Sequence, residues 1–278
     1  MSTRMTRRVA IVSAELTNPY YPELVEPVRQ FLEEAGYRSV VVTDHEVGDV
    51  GLEALVDGSY DGVILTTTTR RSTLPRDLTE RGIPHVLANR MLDHPESPSC
   101  GIANAEGSAA VAELLVELGH TRIGLIAGPV ETSTGRERAN GLRRTLRAHG
   151  IIVRREMTRR CVFTHDAGMA AAEDLLLRRD RPTALVCGND VIALGALSAA
   201  RRVGVEVPAQ VSVIGFDDIR MARWPTFDLT TVRCDLVELA RRTVRMLCDQ
   251  MAGGCLSAVE TRLSPSLVLR GTHGPSLC

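Results

Sequence analysis

Two adjacent acids, Asp217 and Asp218, close the apolar run "VSVIGFDDIR" at residues 211–220. Paired carboxylates can act as an acid/base dyad, hold a metal, or accept hydrogen bonds from a polar ligand. Adjacent residues on an extended segment point to opposite sides, which favours one inward ligand contact and one outward helper over a shared substrate. Polar residues also follow other apolar runs: Tyr20 and Tyr21 in "LTNPYY", Thr66 opening "TTTTRR", Asn89 before Arg90, Arg136 and Arg138 in "TSTGRER", Phe163 ahead of His165 and Asp166, and Asn189 with Asp190 in "GND". Amides, hydroxyls, carboxylates and arginines with single aromatic plates suit a neutral polyhydroxylated ligand. Carboxylates accept from its hydroxyls, arginine donates to them, and an aromatic face covers the C–H side of a ring. A buried hydrogen bond to a charged group contributes about 1.5–3 kcal/mol, so a handful would give micromolar binding.

Each of these residues also has a structural use. Asn and Asp after a strand are favoured helix N-caps. Arg136 and Arg138 at a helix start oppose the macrodipole preference for acids there, which points one of them toward a ligand. Asn18-Pro19 breaks regular structure, so Tyr20 and Tyr21 are expected on a loop. Phe163 reads equally as core or ligand contact, and His120 as a turn residue between a helix and a strand.

Strand-length apolar runs recur at 9–14, 39–43, 61–67, 84–89, 99–104, 122–128, 160–163, 184–189 and 211–216. Helical patterns follow near 22–36, around Leu52, Leu55 and Val56, and near 136–149, 166–178 and 190–202. A long amphipathic helix then runs to about Met251, ahead of a final strand over 261–271. Runs apolar throughout are what a parallel sheet covered on both faces requires, and helical crossovers supply the connections. The expected fold is α/β with two Rossmann-like lobes, and function is expected at the carboxyl ends of the strands.

All 33 basic residues are arginine, which removes a lysine Schiff base and a Walker lysine. The sequence has no GxSxG, HExxH or Walker A motif, and no GxGxxG after the first strand; "GPVETSTGR" could hold an anion but lacks the GK[ST] ending of a phosphate loop. The seven cysteines (100, 161, 187, 234, 248, 255 and 278) form no CxxC pair, and no metal spacing occurs. Reduced thiols, no metal, no cofactor, no enzymatic activity, no membrane association and a cytoplasmic location are the expectations. A net charge of −1 gives no global pull toward nucleic acid.

Taken in order, "LTNPYY", "DGVIL", "IPHVLANR", "ELGHTRIGLIAG", "RERANGLR", "PTALVCGNDVIALGAL", "VGVEVPAQVSVIGFDDI" and "PTFDLTTVR" resemble the sensor region of lactose/galactose repressor (LacI/GalR) transcription regulators across essentially the whole chain. That region shares its fold with periplasmic sugar-binding proteins. The resemblance implies a type I periplasmic-binding-protein-like fold with three crossovers. Its lobes would comprise 7–103 with 232–258, and 104–231 with 259–271. It implies an effector cleft between the lobes, a homodimer, and a small-molecule effector such as a sugar. Transferred motif by motif, the ligand contacts are Tyr20, Tyr21, Asn89, Arg138, Phe163, Asn189 and Asp217, with Arg136, Asp190 and Thr66 as secondary candidates. Asn104 stands where the family usually has an acid. "MSTRMTRR" is too short for the family's helix-turn-helix headpiece, so DNA is expected as a partner only through a headpiece not present here. The alternatives are a solute-binding protein of a sugar transporter, or a stand-alone sugar sensor.

Overall fold

A computed structural model describes residues 5–13, 16–43, 51–94, 97–254 and 258–276. Ala14, Cys255 and Cys278, which the sequence reading placed in a strand or among the thiols, lie outside the described residues. The chain divides into two compact units, Met1–Ile102 with Asp235–Leu263 and Ala103–Cys234 with Ser264–Cys278.

The first unit is built on six parallel strands. In chain order these are β1 (Arg8–Ser13), β2 (Arg38–Thr43), β3 (Gly62–Leu65), β4 (His85–Asn89), β5 (Ser99–Ile102) and β11 (Glu260–Leu263). Across the sheet they run β11-β5-β4-β3-β1-β2. Every residue of β3, β4 and β5 is buried, as expected for strands covered on both faces. Two helices, α1 (Tyr20–Glu34) and α8 (Leu236–Met251), pack on each other, and α8 also lies against β3, β4 and β5. Gln250 of α8 treats β4 as a neighbouring strand would: its side chain accepts from His85 N at 3.0 Å and donates to His85 O at 3.1 Å. Two short helices, α2 (Gly51–Val56) and α3 (Leu74–Glu80), lie in the β2–β3 and β3–β4 connections.

The second unit holds four parallel strands, β6 (Ile123–Ala127), β7 (Thr158–Arg160), β8 (Ala184–Cys187) and β9 (Ser212–Ile214), in the order β7-β6-β8-β9. An antiparallel ribbon pairs β10 (Thr231–Arg233) with β12 (Ser266–Val268). Its helices are α4 (Asn104–Glu117), α5 (Ser133–Ala148), α6 (His165–Leu176) and α7 (Asp190–Val203). Thr132, Thr164 and Asn189 cap α5, α6 and α7, their side chains accepting from Gly135, Ala167 and Ile192 backbone N–H groups. The backbones of α6 and α7 almost touch: a Cβ on Gly195 would stand 2.2 Å from His165 O.

Local differences from the sequence reading have physical causes. Asn18 does not push the tyrosines onto a loop. Its side chain accepts from Tyr20 N at 3.1 Å, and Tyr20 and Tyr21 form the buried first turn of α1. The strand read at 160–163 is β7, at 158–160. The final strand read over 261–271 is two strands, β11 and β12, separated by Ser264-Pro265, because proline brings no donor to a ladder. The third unit boundary therefore falls after Leu263, where the sequence placed it near 259.

Candidate functional site

In the first unit the strand order reverses between β1 and β3, and in the second between β6 and β8. Open parallel sheets bind ligands beyond the carboxyl ends of their strands at such reversals. Most of the polar residues picked from sequence stand at these ends.

In the first unit Asn89 ends β4 with a φ of 70°, a left-handed conformation that asparagine tolerates better than most residues. The Tyr20 hydroxyl donates to Asn89 Oδ1 at 2.8 Å. The two tyrosine rings meet edge to face at 5.6 Å. Arg90 donates to the Tyr21 hydroxyl at 2.7 Å and to Thr67 O at 3.1 Å. Tyr20, Tyr21 and Asn89 are thus one connected group, and Arg90 joins it to the threonine run after β3. Thr67, Thr68, Thr69, Arg71 and Ser72 line a cavity of about 230 Å³ walled by Val12, Leu65 and Leu74. Thr66 has a different use: fully buried, it donates to Val12 O at 3.0 Å and ties β3 to β1.

The second unit centres on Arg138, on the inner face of α5 and buried to 6% exposure. Its Nε donates to Asn104 Oδ1, one Nη to Gly188 O and the other to Asp217 Oδ1, each at 2.8 Å. Its guanidinium carbon lies 3.8 Å from the centroid of the Phe216 ring. Planarity and a fixed fork of donors let arginine make this set, and a lysine could not. Asp217 and Asp218 sit in a strained turn with φ of 120° and 56°. The two acids take different partners, but both are buried, so Asp218 is not the outward residue that an extended segment would make it. Asp217 meets Arg138, while Asp218 accepts from Arg233 and Arg270 and pins the turn to β10 and the strand end after β12.

Asn189 caps α7 through its Oδ1, 3.0 Å from Ile192 N. Asp190, a secondary candidate from sequence, is fully buried; its oxygens accept from Ile219 N and Thr231 Oγ1. Burial, and next the charge of Asp217, push its carboxyl up to about 7. That is the position of an internal brace. Phe163 packs its ring over Gly128 at the end of β6, where an added Cβ would fall 2.3 Å from Phe163 Cζ. Arg136 is half-buried and donates to Val130 O at 3.0 Å.

Two participants, Asn104 and Phe216, were not expected as ligand contacts; Arg90 was expected beside Asn89 among the polar residues after the strands. Asn104 had a usable signal, since it opens α4 with only Ala103 between it and the end of β5. Phe216 immediately precedes Asp217, and only the fold shows that its ring lies under Arg138. Among the described residues no group of three or more His, Cys, Asp or Glu could hold a metal ion, and no helix is long and apolar enough to cross a membrane.

Two units of parallel strands, each with a polar carboxyl edge, define the class, and residues 112–273 match the periplasmic binding protein-like domain family. The chain is 35% identical to an HTH-type transcriptional regulator in the aml 5′ region of Streptomyces limosus, over 97% of this chain and 81% of that protein. It is 31% identical to the transcriptional repressor CytR of Escherichia coli K12, over 96% and 79% respectively. Among solved structures it is similar to a complex of the transcriptional regulator CelR with cellobiose, at a TM-score of 0.89 and 31% identity, covering 97% of this chain and 85% of that one. The chain belongs to the LacI family of transcription regulators, of which it is the effector-binding region. These relatives are named as regulators, not enzymes.

Proposed function

We propose that this chain is the sensor of a LacI-type regulator, and that it binds a sugar or similar small polar metabolite with Tyr20, Tyr21, Asn89, Arg138, Phe163, Asn189 and Asp217. The observation that carries this reading is the buried Arg138–Asp217 pair, held by Asn104 and Phe216 at the carboxyl edge of its sheet. Such a pair presents a charged donor and a charged acceptor in fixed positions, which suits ligand hydroxyls. Phe163 over Gly128 supplies a flat apolar surface at the end of β6, and the hydroxyl-rich cavity after β3 supplies neutral partners. Arg136 is a rim contact in this scheme, and Asp190 and Thr66 brace the fold.

The sensor acts in the cytoplasm as a homodimer. Ligand shifts the population between two states, and the shift reaches a DNA-binding headpiece of the kind that the relatives' names describe. A β-linked glucose disaccharide heads the panel of ligands to try, because cellobiose is the ligand of the CelR complex. Calorimetry of the purified chain against disaccharides, monosaccharides and nucleosides tests the reading. Binding of one class at micromolar Kd, lost in Asp217→Asn and Phe163→Ala, is the expected result. A folded dimer that binds nothing in the panel would overturn it.

A further inference from the structure

A second charged feature lies elsewhere in the second unit. Residues 143–160, "RRTLRAHGIIVRREMTRR", contain seven arginines and one acid, Glu156. The chain's average of 33 arginines in 278 residues would put about two in that length, so composition alone does not account for the density. The segment runs from the last turns of α5 through a 3-10 turn, Arg155–Met157, into the edge strand β7. It forms an open cavity of about 720 Å³ lined by Arg143, Arg155, Arg159 and Arg160, with Thr158, Glu156 and Val153.

The charges in this cavity are unevenly balanced. Arg159 pairs with Asp174, and Glu156 is drawn to Arg154 at 3.3 Å. Arg143, Arg155 and Arg160 pair with no carboxylate among the described residues. Arg143 is half-buried and donates to Thr158 Oγ1 at 3.1 Å, and Arg160 donates to Gly128 O at 3.0 Å. Burial, and after it the charge of Arg160, disfavours the Arg143 cation. Holding guanidiniums together without an acid is unfavourable unless an anion is shared among them. Val153 is the one apolar lining side chain and no aromatic contributes, so the wall is suited to charge and not to a sugar ring or a base. The arginine fork matches phosphate oxygens two at a time.

We propose that this cavity binds a small anion carrying at least two phosphate groups, independently of the ligand held near Arg138. The test is calorimetry of the whole chain with inorganic pyrophosphate, with sodium sulfate at matched ionic strength as reference. Saturable pyrophosphate binding is expected, at least tenfold tighter than sulfate and weakening as salt rises. Arg143→Gln with Arg160→Gln should weaken it tenfold or more. Arg144→Gln with Arg147→Gln removes the same charge from α5 outside the cavity lining and should change it less than threefold. Arg155→Gln, an exposed position with no hydrogen bond to lose among the described residues, serves as the single substitution if the first pair compromises folding, with an expected threefold loss. Equal weakening by both pairs would reduce the site to general positive charge and overturn the proposal. So would pyrophosphate binding no tighter than sulfate, or a duplex DNA that displaces pyrophosphate at physiological salt.

Discussion

Asp190→Asn isolates one buried proton. Asp190 is fully buried, its oxygens face Ile219 N–H and the Thr231 hydroxyl, and burial with the charge of Asp217 raises its carboxyl from 3.8 to about 7. The folded state therefore holds a proton that the unfolded chain releases near pH 4, and folding stability falls as pH rises from about 4 to 7. At 1.36 kcal/mol per pH unit, that interval corresponds to about 4 kcal/mol. Asparagine can accept from Ile219 N and donate to Thr231 Oγ1 once that hydroxyl rotates from donor to acceptor, and it cannot ionise. Two buried histidines act in the opposite direction. His85 and His120 are held below their usual 6.5 chiefly by burial, so they lose stability as pH falls. The difference between variant and wild type removes their contribution. Urea unfolding at a series of pH values should show Asp190→Asn near wild type at pH 4.5 and more stable by a few kcal/mol at pH 8, with m unchanged. A difference profile flat within about 1 kcal/mol over that range would refute the reasoning, because the linkage relation then requires no proton difference at residue 190.

Arg138→Ala should destabilise the chain by about 3–5 kcal/mol, read by urea unfolding, since it leaves Asp217 buried without its cation. Gly128→Ala should turn the half-buried Phe163 ring away from β6, which at this position lowers ligand affinity at least tenfold in calorimetry while thermal stability changes by less than about 1 kcal/mol. Tyr20→Phe removes the donor to Asn89 Oδ1 and should cost about 1 kcal/mol of stability in urea unfolding. Asp218→Asn weakens the ties to Arg233 and Arg270 and should lower stability by about 1.5–3 kcal/mol without abolishing ligand binding, which would separate it from Asp217 in calorimetry.

The alternation of fully apolar strands with helices was readable because buried parallel strands have nothing to hide from either face, and β3, β4 and β5 satisfy that condition at every residue. Helices α3 and α4 carry weak sequence signals. One is a seven-residue helix, and the other, "NAEGSAAVAELLVE", is rich in small residues, which blurs its apolar stripe. The paired acids were legible only as polar residues at a strand end; the alternation expected of an extended segment does not apply to their positive-φ turn, where both are buried. The partners themselves were not legible. Arg138 lies 79 positions from Asp217, and Arg270 lies 52 from Asp218. Sequence spacing carries no information about contacts that only the sheet topology creates.

The breaks after Ile102, Cys234 and Leu263 make each unit a patchwork of two separated stretches. This dictates an order of assembly on the ribosome. β5 lacks its outer neighbour until β11 is made, more than 150 residues later, and β10 waits for β12 at 266–268. Nascent chains shorter than this leave β5 and β10 without these neighbours, and unpaired strand edges are templates for aggregation. Cutting out either unit as a contiguous fragment would leave the same unpaired edges, so a useful dissection must splice residues 1–102 directly to 235–263.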